Sequence, residues 1–189
     1  MTVAGKGSQL AVDANGRFDL STAIEYGRAV SQYDLLWFEE PGDPLDFGLH
    51  AALAREYKGT LATGENLFSH QDVRNLVAFG GARRGQDIFQ MDPGLSYGVI
   101  EYARMLDELE RAGFGRRQCY PHGGQLMGLH VVSGLNLGGT EVYPNVFQPL
   151  GGFGDSAAIV DGFVDVPQVP GFGFEQKSNL VREFTRLLA

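Results

Sequence analysis

LAVDAN (10–15), LLWFEEP (35–41) and TLATGEN (60–66) each run from apolar residues into an acid followed by turn-forming residues. The acids Asp13, Glu39 and Glu65 are separated by 26 positions in both intervals. A period of that length, holding one strand-like and one helix-like run, matches one βα unit of a (β/α)₈ barrel, which averages roughly 30 residues. Equivalent positions on neighbouring parallel strands reach the same rim. Three hard oxygen donors are therefore expected to converge on one point, the donor set that Mg²⁺ takes. An acid after a single strand is usually a helix cap or a solvated loop residue. Equal spacing in matching contexts favours the metal site instead. Of the pair Glu39-Glu40, Glu39 keeps the interval and continues the strand, while Glu40 is expected to face the other way as a supporting group.

The series continues outward. DIFQMD (87–92) ends in Asp92, 27 positions after Glu65, and PHGG (121–124) carries His122, 30 positions after Asp92. Adjacent strand ends place a carboxylate beside an imidazole. A carboxylate on one ring nitrogen fixes the tautomer and raises basicity, leaving the other nitrogen to move a proton. The glycines after His122 permit sharp turning and close ligand approach. His50, His70 and His130 fall within or at the start of helical stretches, where packing and capping roles are expected.

Between these strand ends the pattern predicts helices. Asp19 or Ser21 caps the first, with Leu20, Ala23, Ile24, Gly27 and Val30 on one face. The second spans Leu45 to Tyr57, with Leu45, Leu49, Ala52 and Leu53 inward. The third starts at Ser69 or His70 and stops at Gly80-Gly81. The fourth spans Tyr97 to Ala112, with Val99, Ile100, Ala103, Leu106 and Leu109 apolar. A fifth strand at Arg117 to Tyr120, a short helix over Gln125 to Leu135 and the end of a sixth strand at Glu141 to Tyr143 follow. Six strands are counted where a closed barrel needs eight. Beyond Pro144 the texture becomes Gly/Pro-punctuated and alternating, predicting a small hairpin or irregular arm, then a terminal helix over Gln176 to Leu188. The expected organisation is a partial barrel over 1–150 and an arm with helix over 151–189.

The chain has 189 residues, 43% hydrophobic, enough for one core. Its net charge of −8 argues against a nucleic acid or anionic membrane partner, since either needs a basic face. The single cysteine, Cys119, permits no internal disulfide and suits a reducing cytoplasm as a buried thiol. No apolar run approaches the length of a membrane span, and MTVAGKGSQ lacks the apolar core of a signal peptide, so a soluble, unexported protein is expected. The glycine clusters Gly5-Lys6-Gly7, Gly151 to Gly154 and Gly171 to Gly173 lack the strand-loop-helix setting of a nucleotide site and are read as turns.

DAN, EEP and GEN at 26-residue intervals, with Asp92 and His122, resemble the enolase superfamily, mandelate racemase branch. Within it the runs at 13–47, 90–102 and 119–139 look most like the D-tartrate dehydratases. The resemblance implies Mg²⁺ held by Asp13, Glu39 and Glu65, a catalytic Asp92-His122 pair, and an acid-sugar or dicarboxylate substrate dehydrated through an enediolate. For D-tartrate the product is oxaloacetate. It also implies substrate contacts from Asn15 and Glu141, although Asn15 before Gly16 is equally a turn former. A full-length homo-oligomer is implied as well.

Two departures stand out. The branch carries a K-x-K motif whose lysine serves as the opposite-face base, yet the only lysines here are Lys6, Lys58 and Lys177. The capping domain and the first two barrel strands are also without counterparts, so the chain is expected to be a C-terminal portion: strands three to eight, an arm and a helix. Alone it is expected to bind Mg²⁺ weakly and turn over little substrate. A non-catalytic scaffold, and a racemase or epimerase with the same ligands, are the competing readings.

Overall fold

Four short strands form one parallel sheet in the order β1-β2-β3-β4: Ala11–Asp13, Trp37–Glu39, Leu61–Thr63 and Ile88–Phe89. The computed structural model describes residues 5, 9–143 and 145–189; Lys6 and Gly7, part of the first glycine cluster, lie outside them. Each strand is followed by a helix: α1 (Leu20–Val30), α2 (Phe47–Glu56), α3 (His70–Phe79) and α4 (Val99–Arg111). Two further helices, α5 (Leu126–Leu135) and α6 (Ser178–Leu188), come later in the chain. Parallel neighbours joined by helical crossovers give an α/β sheet with the topology of a partial (β/α)₈ barrel.

The expected fifth and sixth strands do not form as ladders. Arg116–Gln118 is a single 3₁₀ turn, and the fifth position is a lone parallel bridge between Phe89 and Cys119. Beyond it the backbone follows the sheet through single bonds, Gly138 N–H to Cys119 O (3.0 Å) and Glu141 N–H to Pro121 O (3.4 Å). Gly138 and Gly139 explain the interruption. A Cβ on either would lie under 3 Å from the Tyr120 ring, so the chain packs there by close approach and not by a regular ladder.

Helix starts follow local capping chemistry. Asp19 accepts the Thr22 N–H at 2.8 Å, Asp46 accepts the Leu49 N–H at 2.9 Å, and Ser69 with Asp72 forms a capping box. The inward faces are partly rotated from expectation. In α2 the buried residues are His50, Leu53 and Ala54, while Leu45 precedes the helix and is exposed. In α4, Tyr102, Met105, Leu106 and Leu109 turn inward; Val99, Ile100 and Ala103 do not. Tyr102, Met105, Leu106 and Leu109 stand at i, i+3, i+4 and i+7, one stripe of the helix, and pack with Leu76 and Phe89.

The core lies between sheet and helices in two clusters. Phe38, Ala23, Leu53, Tyr57 and Leu61 pack around the first two helices, and Phe38 meets Tyr57 edge-on with centroids 5.7 Å apart. Fully burying Phe38 contributes about 1.5–3 kcal/mol. The second cluster joins Leu76, Phe89, Met91, Tyr102, Met105 and Leu109 with the buried thiol of Cys119. His50 takes its packing role by placing Nδ1 at 2.5 Å on the Gly80 carbonyl at the end of α3. His130 reaches the Phe172 carbonyl at 3.1 Å.

The segment after position 150 returns to the start of α5. Gly152 bridges Gln125, and the buried Lys177 ammonium donates to the carbonyls of Gly151 (2.9 Å) and Phe153 (3.2 Å). The predicted hairpin is one antiparallel bridge, Val160 to Phe163. Among the described residues no helix is long and apolar enough to cross a membrane.

Candidate active site

The rim is built by register. Asp13 pairs with Glu39 across β1 and β2, and the pairing extends past the strands through Ala14 N–H to Glu39 O (3.1 Å), Glu40 N–H to Ala62 O (3.0 Å) and Gln90 N–H to Thr63 O (2.9 Å). Parallel strands held level deliver their C-terminal residues to one side. There Asp13, Asn15, Glu39, Glu65, His122 and Tyr143 help line a cavity of about 490 Å³. Five of the sequence-predicted site residues thus share one cavity wall: the three acids, Asn15 and His122. Asp92 stands behind His122.

The three acids do not form a closed cluster. Among the described residues no group of three His, Cys, Asp or Glu side chains lies close enough to hold a metal ion. The expectation of convergence on a single point is corrected to convergence on a single cavity. Like charges repel, and each carboxylate takes the nearest donor or cation. Asp13 accepts the Asn15 N–H at 2.6 Å and the Asn15 amide at 3.3 Å, Glu39 accepts the Trp37 indole N–H at 2.8 Å, and Glu65 faces His122. Burial raises the Glu39 carboxyl pKa against the pull of the Gln90 and Trp37 donors, with the Asp13 charge adding to the rise. Burial likewise raises Glu65, and the His122 charge opposes it. A hard divalent cation would offset both effects, and an all-oxygen donor set is the chemistry it needs.

His122 sits between two carboxylates. Its Nδ1 is 3.5 Å from Asp92 Oδ2 and its Nε2 is 3.6 Å from Glu65 Oε2. These are ion-pair contacts longer than a close hydrogen bond, and the buried Nδ1 has no strict hydrogen-bond partner. The Asp92 carboxylate holds the imidazole pKa up at about 9, burial opposes, and Glu65 and Glu141 add to the rise. The ring is therefore an imidazolium at neutral pH, on the wall of the cavity. Asp92 is anchored in turn by the Gly94 N–H at 2.6 Å.

Asn15 adopts φ 50°, so the turn reading and the cavity position hold together at one residue. Glu141 is held by three donors: the Tyr143 hydroxyl (2.6 Å), the Gly123 N–H (3.0 Å) and the Gln90 amide (3.2 Å). Tyr143 and not Glu141 is the member of that pair on the cavity wall. Glu40 turns away from the cavity as expected, buried against the Asn66 amide. Lys58 bonds the Arg55 carbonyl on the surface, and Lys177 is committed to the arm, so neither lines the cavity.

Sequence reasoning missed Trp37, Gln90 and Tyr143. The signal was period two: Trp37 stands two positions before Glu39 and Gln90 two before Asp92, on the same strand face as the rim acid. Apolar-run reading absorbed both into the strands.

Residues 2–179 match the family model described as enolase C-terminal domain-like. L-talarate/galactarate dehydratase of Salmonella typhimurium is 32% identical over 178 residues, covering 94% of this chain and 42% of that protein. Arabinonate dehydratase of Saccharolobus solfataricus is 28% identical, covering 96% and 48%. The crystal structure of the Salmonella enzyme liganded with Mg and L-lyxarohydroxamate superposes with a TM-score of 0.76 at 29% identity, covering 92% and 42%. The chain spans about half the length of these relatives.

Proposed function

We propose that this chain, which belongs to the enolase C-terminal domain-like family, carries the metal-binding and proton-donating part of a Mg²⁺-dependent acid-sugar dehydratase, a carbon–oxygen lyase. The observation that carries the reading is His122 held between Asp92 and Glu65 at 3.5 and 3.6 Å, on the cavity that Asp13 and Glu39 also line.

Asp13, Glu39 and Glu65 would hold the cation. Mg²⁺ bound there would supply the positive charge that makes the hydrogen α to a substrate carboxylate acidic. His122 then gives its proton to the departing β-hydroxyl. The α-proton passes to a base that the described residues do not supply, the electrons of the Cα–H bond become the double bond of an enol, the Cβ–O bond breaks with its electron pair on oxygen, water leaves, and the enol rearranges to a 2-oxo acid. Asp92 and Glu65 favour the imidazolium that this step consumes. Among the described residues no lysine reaches the cavity to take the α-hydrogen, so the chain alone is proposed to turn over little.

The proposed substrate is D-tartrate, giving oxaloacetate, on the strength of the runs at 13–47, 90–102 and 119–139. The arm over 151–189 is proposed to pack on a capping domain, since α6 buries Leu180 but leaves Val181, Phe184, Leu187 and Leu188 exposed. A cytoplasmic homo-oligomer without nucleic acid or membrane partners completes the proposal, and the buried, unpaired Cys119 suits a reducing compartment.

The test is an assay with Mg²⁺ of the chain by itself and of the longest natural polypeptide containing it, on D-tartrate, galactarate, L-talarate and arabinonate, scoring 2-oxo acid release. Oxaloacetate from D-tartrate in preference to the others is the expected result. Preference for another sugar overturns the substrate, and equal activity of both polypeptides overturns the missing-base argument. Deuterium uptake from heavy water without a keto product points to a racemase.

A further inference from the structure

Trp37 leaves β2 on the same face as Glu39, two positions on, and its indole Nε1–H donates to Glu39 Oε2 at 2.8 Å. The ring is braced by Tyr120, with centroids 5.7 Å apart at 57°. Glu39 is only 7% exposed, so a carboxylate oxygen without a donor there would be costly. An indole N–H donates but cannot accept or ligate a metal, so it fixes the plane of the carboxylate without competing for a cation. Asp13 and Glu65 have no comparable rigid partner: the first bonds its own turn, and the second faces a titratable ring.

We infer that Trp37 is a positioning residue for the cation, orienting Glu39 as the one pre-set ligand onto which Asp13 and Glu65 close. The inference rests on the metal-site reading of Asp13, Glu39 and Glu65. It has a built-in reporter, because Trp37 is the single tryptophan of the chain and tryptophan emission therefore reports on this residue alone.

The experiment is a Mg²⁺ titration followed in parallel by calorimetry and tryptophan emission for the wild type, with calorimetry on W37F and E39Q and urea unfolding of all three. Wild-type emission should change in step with the calorimetric isotherm. E39Q should abolish binding. W37F keeps an aromatic ring against Tyr120 but removes the donor, and its Mg²⁺ affinity should fall roughly 10–100-fold. A merely structural tryptophan would lower the urea midpoint and leave the affinity of the folded fraction unchanged. Unmoved emission at calorimetric saturation overturns the inference even if W37F fails to fold, as does wild-type affinity in a folded W37F. No wild-type binding at all overturns the metal-site reading itself.

Discussion

The Asn66 side-chain amide lies 3.1 Å from both carboxylate oxygens of Glu40, tying the residue after Glu39 to the residue after Glu65. Two neighbouring rim acids are thus linked through their chain neighbours, behind the cavity. Glu40 is buried and surrounded by Glu65, Asp13 and Glu39, and burial pushes its carboxyl up to about 7.

Asn66→Ala leaves Glu40 buried without its donor. A loss of about 1–3 kcal/mol is expected, read from urea unfolding at constant pH. Stability unchanged within error would show that solvent replaces the amide freely.

Asp87 accepts from the Leu61 N–H (3.0 Å) and from Arg83 at both backbone and guanidinium, while Arg83 also donates to the Tyr57 and Gly59 carbonyls. This pair closes the end of the sheet opposite the rim, with Asp87 2% exposed. Asp87→Ala takes the carboxylate from a half-buried guanidinium and leaves a buried strand N–H without its acceptor, and should cost about 1–3 kcal/mol. Urea midpoints test it; a loss under about 1 kcal/mol would reduce the network to surface character.

Glu101 on α4 receives the His70 N–H at 2.8 Å, the His70 ring at 2.6 Å and Arg104 at 3.1 Å. These donors, the His70 N–H foremost, hold its carboxyl at about 2, below the ordinary 4.5. A depressed carboxyl stabilises the fold above its unfolded pKa, and the contribution fades as pH falls from about 4.5 through 2. Glu101→Gln should therefore be less stable than wild type at pH 6 and converge on it near pH 2. Thermal melts across that range decide the matter.

Asp92→Asn removes the main support of the His122 imidazolium, whose pKa stands at about 9. The ring should titrate closer to the ordinary value near 6.5, which an NMR titration of the His122 ring protons reads directly. In the longest natural polypeptide containing the chain, the proposed dehydration at pH 8 should fall by about 10²–10⁴. A His122 pKa unmoved by the substitution would assign the support to Glu65 instead.

The placement of Asp13, Glu39 and Glu65 on one cavity, and of Asp92 beside His122, was legible because a fixed period on parallel strands converts sequence spacing into spatial adjacency. The helix caps at Asp19 and Ser69 were legible for a local reason: a short polar side chain satisfies N–H groups two or three residues away. Helix faces were less so. In α4 the inward choice of Tyr102 over Ile100 depends on the shape of the facing surface. The fifth strand was over-read because Arg116–Gln118 tightens into a 3₁₀ turn, and the sixth because Gly138 and Gly139 pack against the Tyr120 ring, a contact between distant parts of the chain.

Sequence alone determined which residues reach one rim, since β-strand periodicity and parallel register leave a strand's end little freedom. Tertiary structure alone decided what each of those residues touches there. That Glu39 takes Trp37, that Glu141 is spent on Gly123, Gln90 and Tyr143, and that His122 lies between Asp92 and Glu65 follow from side chains competing for donors at close range. Such contacts depend on distances of a few ångströms between elements far apart in the chain, which no spacing within a single strand encodes.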